Sequence, residues 1–266
     1  MKRAVFVPSS RGGVGKSTFV RLLAELHRER ESGAVLVDAD SAVGQLLKHL
    51  GERDAETGRV LREQSIERGV QTMDWHADVR GRDAIASWLE HGRYAVFDLP
   101  GGSLSTLKML DAETNFFAEV VPSMGYATTV VVMVTPYLET WADAKQVAEW
   151  VTNAEVLLVR NEGFGESQDF RDWDASETRR TLLESGAREI VLPRLEARIA
   201  ARISYHRLRF HDAPTNANIH VMDRGRAKTW LTAATAAILD SSDLVGLDSV
   251  ADTPTSTKAT TKRGVA

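Results

Sequence analysis

Arg11-Gly12-Gly13-Val14-Gly15-Lys16-Ser17-Thr18 follows a short apolar run, Val5-Phe6-Val7. It precedes a segment in which Phe19, Leu22, Leu23 and Leu26 recur at i, i+3, i+4 and i+7. The run reads as a buried strand and the segment as a helix with one apolar face. Between them lies the material of a phosphate cradle. Glycines let the backbone curl without Cβ clashes, so that N–H groups converge on an anion. The helix start adds its positive end. Lys16 supplies a cation for β/γ oxygens and Ser17 a hydroxyl for a metal ion. The strict spacing G-x-x-x-x-G-K-[ST] asks for glycine at position 10, where this chain has Ser10.

Outward from this loop, short apolar runs alternate with helix-period segments. Strands are expected at 5–7, 34–37, 94–97, 129–134, 156–159 and 189–192. Helices are expected from Lys16 to Gly33 and around 44–50, 82–90, 141–151, 176–185, 195–206 and 226–239. That alternation predicts an α/β fold: a doubly wound, mostly parallel sheet with helices on both faces, a P-loop nucleoside triphosphatase architecture. Residues 54–70 are polar and mixed and receive no element. The composition shifts near Ser241, and residues 252–263 have no apolar periodicity. One domain over 1–240 and a disordered tail over 241–266 are therefore expected.

Of the 266 residues, 43% are hydrophobic and 26% charged, enough to bury a sizeable core. Cysteine is absent, which excludes disulfides, thiolate catalysis and cysteine-held clusters. No apolar run approaches the roughly 18 residues of a membrane span. The start, Met1-Lys2-Arg3-Ala4-Val5-Phe6-Val7, stops at Pro8-Ser9-Ser10, too short for a signal core, so a cytoplasmic protein is expected. The net charge of −4 means that any nucleic-acid contact must come from a local patch.

Two acidic stations accompany the loop. Val37-Asp38-Ala39-Asp40 ends the second strand, where ligands of doubly wound sheets sit. A carboxylate there can orient an attacking water or touch Mg²⁺ through water. Tyr94-Ala95-Val96-Phe97-Asp98 has the form of a strand whose terminal Asp holds Mg²⁺ through water. The following Leu99-Pro100-Gly101-Gly102 would let a backbone N–H approach a γ-phosphate.

Together these residues resemble the ParA/MinD family of deviant Walker-A ATPases, whose loop reads [K/R]-G-G-x-G-K-[T/S]-[T/S]. Residues 11–18 match throughout, with Arg11 where most members carry lysine. The resemblance implies ATP and Mg²⁺ as ligands, held by Arg11, Gly12, Gly13, Val14, Gly15, Lys16, Ser17 and Thr18. It implies an ATP-dependent sandwich homodimer in which Arg11 reaches the partner's phosphates. Asp40 would position the hydrolytic water and share the metal with Ser17 and Asp98, and Asp38 would lie near the dimer interface. Lys16, Asp40 and Arg11 would carry slow, partner-stimulated hydrolysis. Val159-Arg160-Asn161 is similar to the family strand ending in an adenine-reading Asn, and Leu192-Pro193-Arg194 to the one whose Pro brackets the base. The layout is similar to the plasmid partition and conjugative-transfer branch. That branch implies nonspecific DNA binding, a DNA-binding adaptor of ParB type, and a place on the nucleoid or plasmid rather than at a membrane.

Arg194, Arg198, Arg202 and His206 recur every four residues beside an apolar stripe of Leu195, Ile199 and Ile203. Arg207 and Arg209 follow. This basic face can track phosphates, or it can be a solvated surface with ion pairs. Lys258, Lys262 and Arg263 would add a weak electrostatic arm. The six tryptophans, Trp141, Trp150 and Trp230 among them, read as packing. Two other functions of the loop stay open: an ATP-dependent ligase of the dethiobiotin synthetase kind, and a poorly hydrolysing nucleotide-binding scaffold.

Overall fold

The computed structural model describes residues 1–40, 44–76, 79–151 and 153–248. Seven strands form one sheet: β1 (Lys2–Ser9), β2 (Ala34–Asp38), β3 (Gln71–Thr72), β4 (Tyr94–Gly101), β5 (Tyr126–Val134), β6 (Glu155–Asn161) and β7 (Arg188–Leu192). Their order is β3-β2-β4-β1-β5-β6-β7 and every pairing is parallel. The expected doubly wound sheet is therefore present, with a short edge strand, β3, added by the segment that followed the unassigned 54–70.

Alternation along the strands builds two cores, because successive side chains leave opposite faces of a sheet. Val5, Val7, Leu36, Val96, Val131, Leu157 and Val159 point to one face. There they meet α1 (Lys16–Glu29), α7 (Ala197–Tyr205) and α8 (Val221–Leu239) through Phe19, Leu23, Ile199, Ile203 and Ala234. Ala4, Phe6, Val37, Phe97, Val132 and Leu158 point to the other. That face is covered by α3 (Val79–His91), α4 (Ser103–Thr114) and α5 (Leu138–Trp150) through Leu89, Leu107 and Val147. Phe6 stacks on Phe97 with ring centroids 4.5 Å apart, joining the two central strands. The other labelled helices are α2 (Gln45–Leu50), α6 (Glu177–Glu184) and α9 (Ser242–Val245), and single helical turns lie at Val121–Ser123 and Arg171–Asp174.

Two differences from the sequence expectation have physical causes. Helix α4 falls where the sequence predicts no element, since it follows Pro100-Gly101-Gly102 and its apolar residues give only a weak stripe. It ends at Asn115 (φ 51°) and continues as a π-turn over Phe116–Val120. There Asp111 accepts from the Phe117 N–H at 2.8 Å and from Trp150 Nε1 at 2.8 Å. The packed chain also runs past residue 240: Leu244, Val245 and Leu247 are buried, and buried His27 bonds the Val245 carbonyl at 2.9 Å. The rest of the expected tail, with Lys258, Lys262 and Arg263, lies outside the described residues. Among the described residues no helix is long and apolar enough to cross a membrane.

Strand β1 lies where the connections diverge, through α1 to β2 on one side and from β5 to β6 on the other. Ligands of open α/β sheets sit at the carboxyl ends of such strands. The phosphate loop, Asp38, Asp98, Gly101 and Asn161 all fall at those ends.

Candidate nucleotide site

The loop curls because Gly13 (φ 77°) and Gly15 (φ 96°) adopt left-handed backbone that side chains disfavour. Gly15 is the N-cap of α1 and no side chain caps that end, so first-turn N–H groups are left for an anion. Strand β4 presses on the loop. A Cβ added to Gly101 would sit 2.6 Å from Gly12 N and 2.9 Å from Gly12 Cα, and backbone cannot yield as a side-chain tip can. Gly101→Ala is thus expected to displace the loop and weaken triphosphate binding about tenfold or more. Titration with a fluorescent nucleotide reads this; unchanged affinity would show that the loop accommodates the methyl.

Lys16 is buried, and its Nζ donates to Ser9 Oγ at 2.6 Å and to the Arg11 carbonyl at 3.4 Å. Burial lowers its pKa, while Asp98, Asp40 and Asp143 pull it back up. Ser10, the departure from the strict motif, is explained by Asp143. That buried carboxylate accepts the Ser10 N–H at 2.9 Å and the Ser10 hydroxyl, so it clamps the start of the loop. Sequence reasoning missed Asp143, yet it left a signal. Thr140, Asp143, Ala144 and Val147 share the buried face of α5, and a charge on such a face needs a partner.

The two acidic stations meet beside Lys16, with Asp38 and Asp98 in register on neighbouring strands. Asp98 is buried, and neither carboxyl oxygen has a hydrogen-bond partner among the described residues. Burial pushes its pKa up to about 7 and Asp38 adds to this, while the Ser17 hydroxyl and Lys16 pull it down. An unpaired buried carboxylate beside a serine hydroxyl and an anion cradle fits a hard divalent cation. Among the described residues no group of three or more acidic or histidine side chains could hold a metal ion, so phosphate and water would complete the shell.

Asp38 serves the local fold. It is buried and accepts from Leu47 N at 2.9 Å and Asp40 N at 3.2 Å, so it fixes Asp40 and the first turn of α2. Burial raises its pKa.

A cleft of about 490 Å³ joins these parts. Gly12, Gly13, Gly15, Lys16, Ser17, Thr18, Asp40 and Gly101 form its phosphate end. Asn161, Phe164, Pro193, Leu195 and Trp230 form an aromatic and apolar end suited to a base. Asn161 donates to the Val14 carbonyl at 3.0 Å and accepts from Gly163 N at 3.0 Å. Its amide keeps one N–H and one lone pair for a base edge. Trp230, expected to be packing alone, also donates from Nε1 to the Pro193 carbonyl at 2.9 Å and so holds the Pro loop against the cleft. Phe164 is a wall that the sequence did not announce.

Arg11 stands apart from the cleft's interior. Its side chain is 63% exposed and its Nη1 donates to Glu139 of the same chain at 3.0 Å. The expected basic stripe is also interrupted. Arg194 precedes α7 rather than lying on it. Arg198 pairs with Glu196 and with buried Asp223, and Arg209 pairs with Asp212. Arg194, Arg202 and Arg207 are exposed and make no ion pair among the described residues.

The sheet order and the glycine loop after β1 define the fold of P-loop nucleoside triphosphatases, in the form seen in MinD-type proteins. The chain is similar to the MinC:MinD cell division protein complex of Aquifex aeolicus at 17% identity and TM-score 0.51, covering 85% of this chain and 95% of that one. It is also similar to the septum site-determining protein MinD of Pyrococcus horikoshii OT3 complexed with Mg-ADP (15%, TM-score 0.48, 89% and 96% covered). A third likeness is to apo McdA of Cyanothece (15%, TM-score 0.46, 89% and 99% covered). No protein-family model and no curated protein matches the chain.

Proposed function

We propose that this chain is an ATP-binding and ATP-hydrolysing switch of the ParA/MinD type. The observation that carries this reading is the convergence of buried Lys16, Ser17 and the uncapped start of α1 on one end of a nucleotide-sized cleft, with unpaired Asp98 buried close to Lys16 and Ser17. The loop N–H groups and Lys16 bind the phosphates. Ser17 and Asp98, with Asp40 nearby, are the residues that would hold Mg²⁺. A bound Mg²⁺ would supply positive charge to offset that of the phosphates. Asp40, placed by Asp38, orients the water for attack, and Asn161 and Pro193 bracket the base. Arg11 leaves Glu139 and crosses to the partner's phosphates when ATP brings two copies together.

The cellular task in this reading is plasmid partition or conjugative transfer, on the nucleoid or plasmid, with an adaptor of ParB type that stimulates a slow turnover. Exposed Arg194, Arg202 and Arg207, which make no ion pair among the described residues, support phosphate contacts that read no sequence. Arg198 and Arg209, held by carboxylates, contribute less to such a surface.

Phosphate release from ATP and Mg²⁺ tests the enzymatic core. Asp40→Ala is expected to lower the rate about 100-fold, the scale of losing a group that manages the attacking water, with ATP still bound. Full activity in that variant would remove Asp40 from the chemistry.

A further inference from the structure

The loop after β3 brings a side chain to the phosphate end that neither the motif nor the cleft lining includes. Met73 N donates to the Asp38 carbonyl at 3.2 Å, so the loop starts in register with the second strand. Asp74 Oδ1 then accepts the His76 N–H at 3.1 Å and sets the turn. This aims the imidazole at the end of β4, where His76 Nε2 lies 3.3 Å from the Gly101 carbonyl. A carbonyl only accepts, so Nε2 carries the proton and donates, whatever the state of Nδ1. The ring also lies alongside Gly102, whose added Cβ would be 3.8 Å from His76 Cε1.

Gly101 and Gly102 share one peptide plane. In a trans peptide the Gly102 N–H points opposite to the Gly101 carbonyl. Holding that carbonyl on His76 therefore turns the Gly102 N–H away from the histidine. Gly101 lines the nucleotide cleft and abuts Gly12, and Gly102 (φ 80°) begins α4 with no side-chain cap. A peptide between two glycines turns more easily than most, since neither residue carries a Cβ, and besides His76 it is the pairing of Gly101 with Ser9 at the end of the sheet that holds it.

We infer that His76 is a positioning residue that fixes the Gly101–Gly102 peptide so that its N–H is presented to the terminal phosphate of a bound nucleoside triphosphate. The inference rests on the ATP-switch reading and adds to it a device for telling tri- from diphosphate. The α- and β-phosphates are assigned to the loop after β1, and the hydrogen bonds of His76 among the described residues go to Asp74 and Gly101 rather than to that loop. Its loss therefore acts on the third phosphate alone.

The test is titration of the full chain with Mg²⁺ and either ADP or the non-hydrolysable analogue AMPPNP, for wild type, His76→Ala and His76→Gln. Gln keeps a donor near the Nε2 position. His76→Ala is expected to lower the AMPPNP-to-ADP affinity ratio about fivefold to tenfold by loosening one terminal donor, with ADP binding unchanged and His76→Gln restoring the ratio. An unchanged ratio in His76→Ala overturns the inference. A parallel loss for both nucleotides overturns it too, by showing a structural role only. A wild-type chain that binds neither nucleotide defeats the ATP-switch reading itself, whereas normal wild-type binding with an unchanged ratio defeats the role of His76 alone.

Discussion

Asp98→Asn is expected to abolish the Mg²⁺ dependence of nucleotide binding while making the nucleotide-free chain more stable near neutral pH. Both effects come from the same two unpaired oxygens. The wild-type carboxyl titrates near 7 because it is buried beside Asp38. Between the ordinary carboxylate range and that value, the folded chain holds a proton that the unfolded chain has released. The unfolded state then binds fewer protons, so stability falls as pH rises through this window and stays low above it. Each pKa unit is worth about 1.4 kcal/mol. Asparagine carries no charge to desolvate and removes this pH dependence. Thermal melts of the nucleotide-free variant near pH 8 should therefore rise by several degrees, at about 2–4 °C per kcal/mol for a domain of this size. The same variant should bind ATP no better with Mg²⁺ than with a chelator. A lower melting temperature at pH 8, or retained Mg²⁺ dependence, would contradict the assignment. Such a residue, costly to the empty fold and useful to the filled site, is what a metal station requires.

Lys16→Ala carries the other large effect. The ammonium is buried between Ser9 Oγ and the Arg11 carbonyl, and its nearest charge compensation is Asp98 and Asp40. In a site with little water, a cation meets phosphate oxygens at low effective dielectric, where its interaction exceeds that of a surface pair. Triphosphate affinity should fall about 100-fold or more on removing it, the range of a deleted buried charge contact. Stability without nucleotide should change little, because the same deletion removes a cation that burial disfavours, and Ser9 Oγ still donates to the Arg11 carbonyl at 2.6 Å. Lys16→Arg should not rescue, since a planar guanidinium is bulkier than an ammonium and presents its donors in a fixed fork. Isothermal titration with ATP and Mg²⁺, paired with melts, separates lost binding from lost fold.

What the sequence disclosed depended on where the signal resided. The five central strands are legible because strands buried on both faces are largely apolar, as Val130-Val131-Val132-Met133-Val134 shows, and edge strand β7 is legible from its Ile190-Val191-Leu192 run. The phosphate loop is legible because its chemistry needs glycines, lysine and serine in one local spacing. Edge strand β3 was not, since two residues, half-buried Gln71 and exposed Thr72, carry no pattern. The long-range partners were harder still. Nothing local tells that Asp143 will meet Ser10, that Trp230 will hold Pro193, or that Gly101 will lie against Gly12. These are products of topology, which brings residues far apart in the chain, up to 133 positions for Ser10 and Asp143, to the same strand ends. The basic stripe failed in a different way: its spacing was right for a helix, but Arg194 falls before α7 and Asp223 neutralises Arg198 from another helix.

The claim at the centre of this account is that ATP with Mg²⁺ converts the chain from one oligomeric state to another. Light scattering with ADP, and then with ATP and Mg²⁺ on the Asp40→Ala variant, measures it most directly. A monomer with ADP and a dimer only with ATP, the dimer alone retaining nonspecific duplex DNA, is the predicted result. A molar mass that does not change with nucleotide would contradict the sandwich dimer and leave a P-loop protein that works as a single copy.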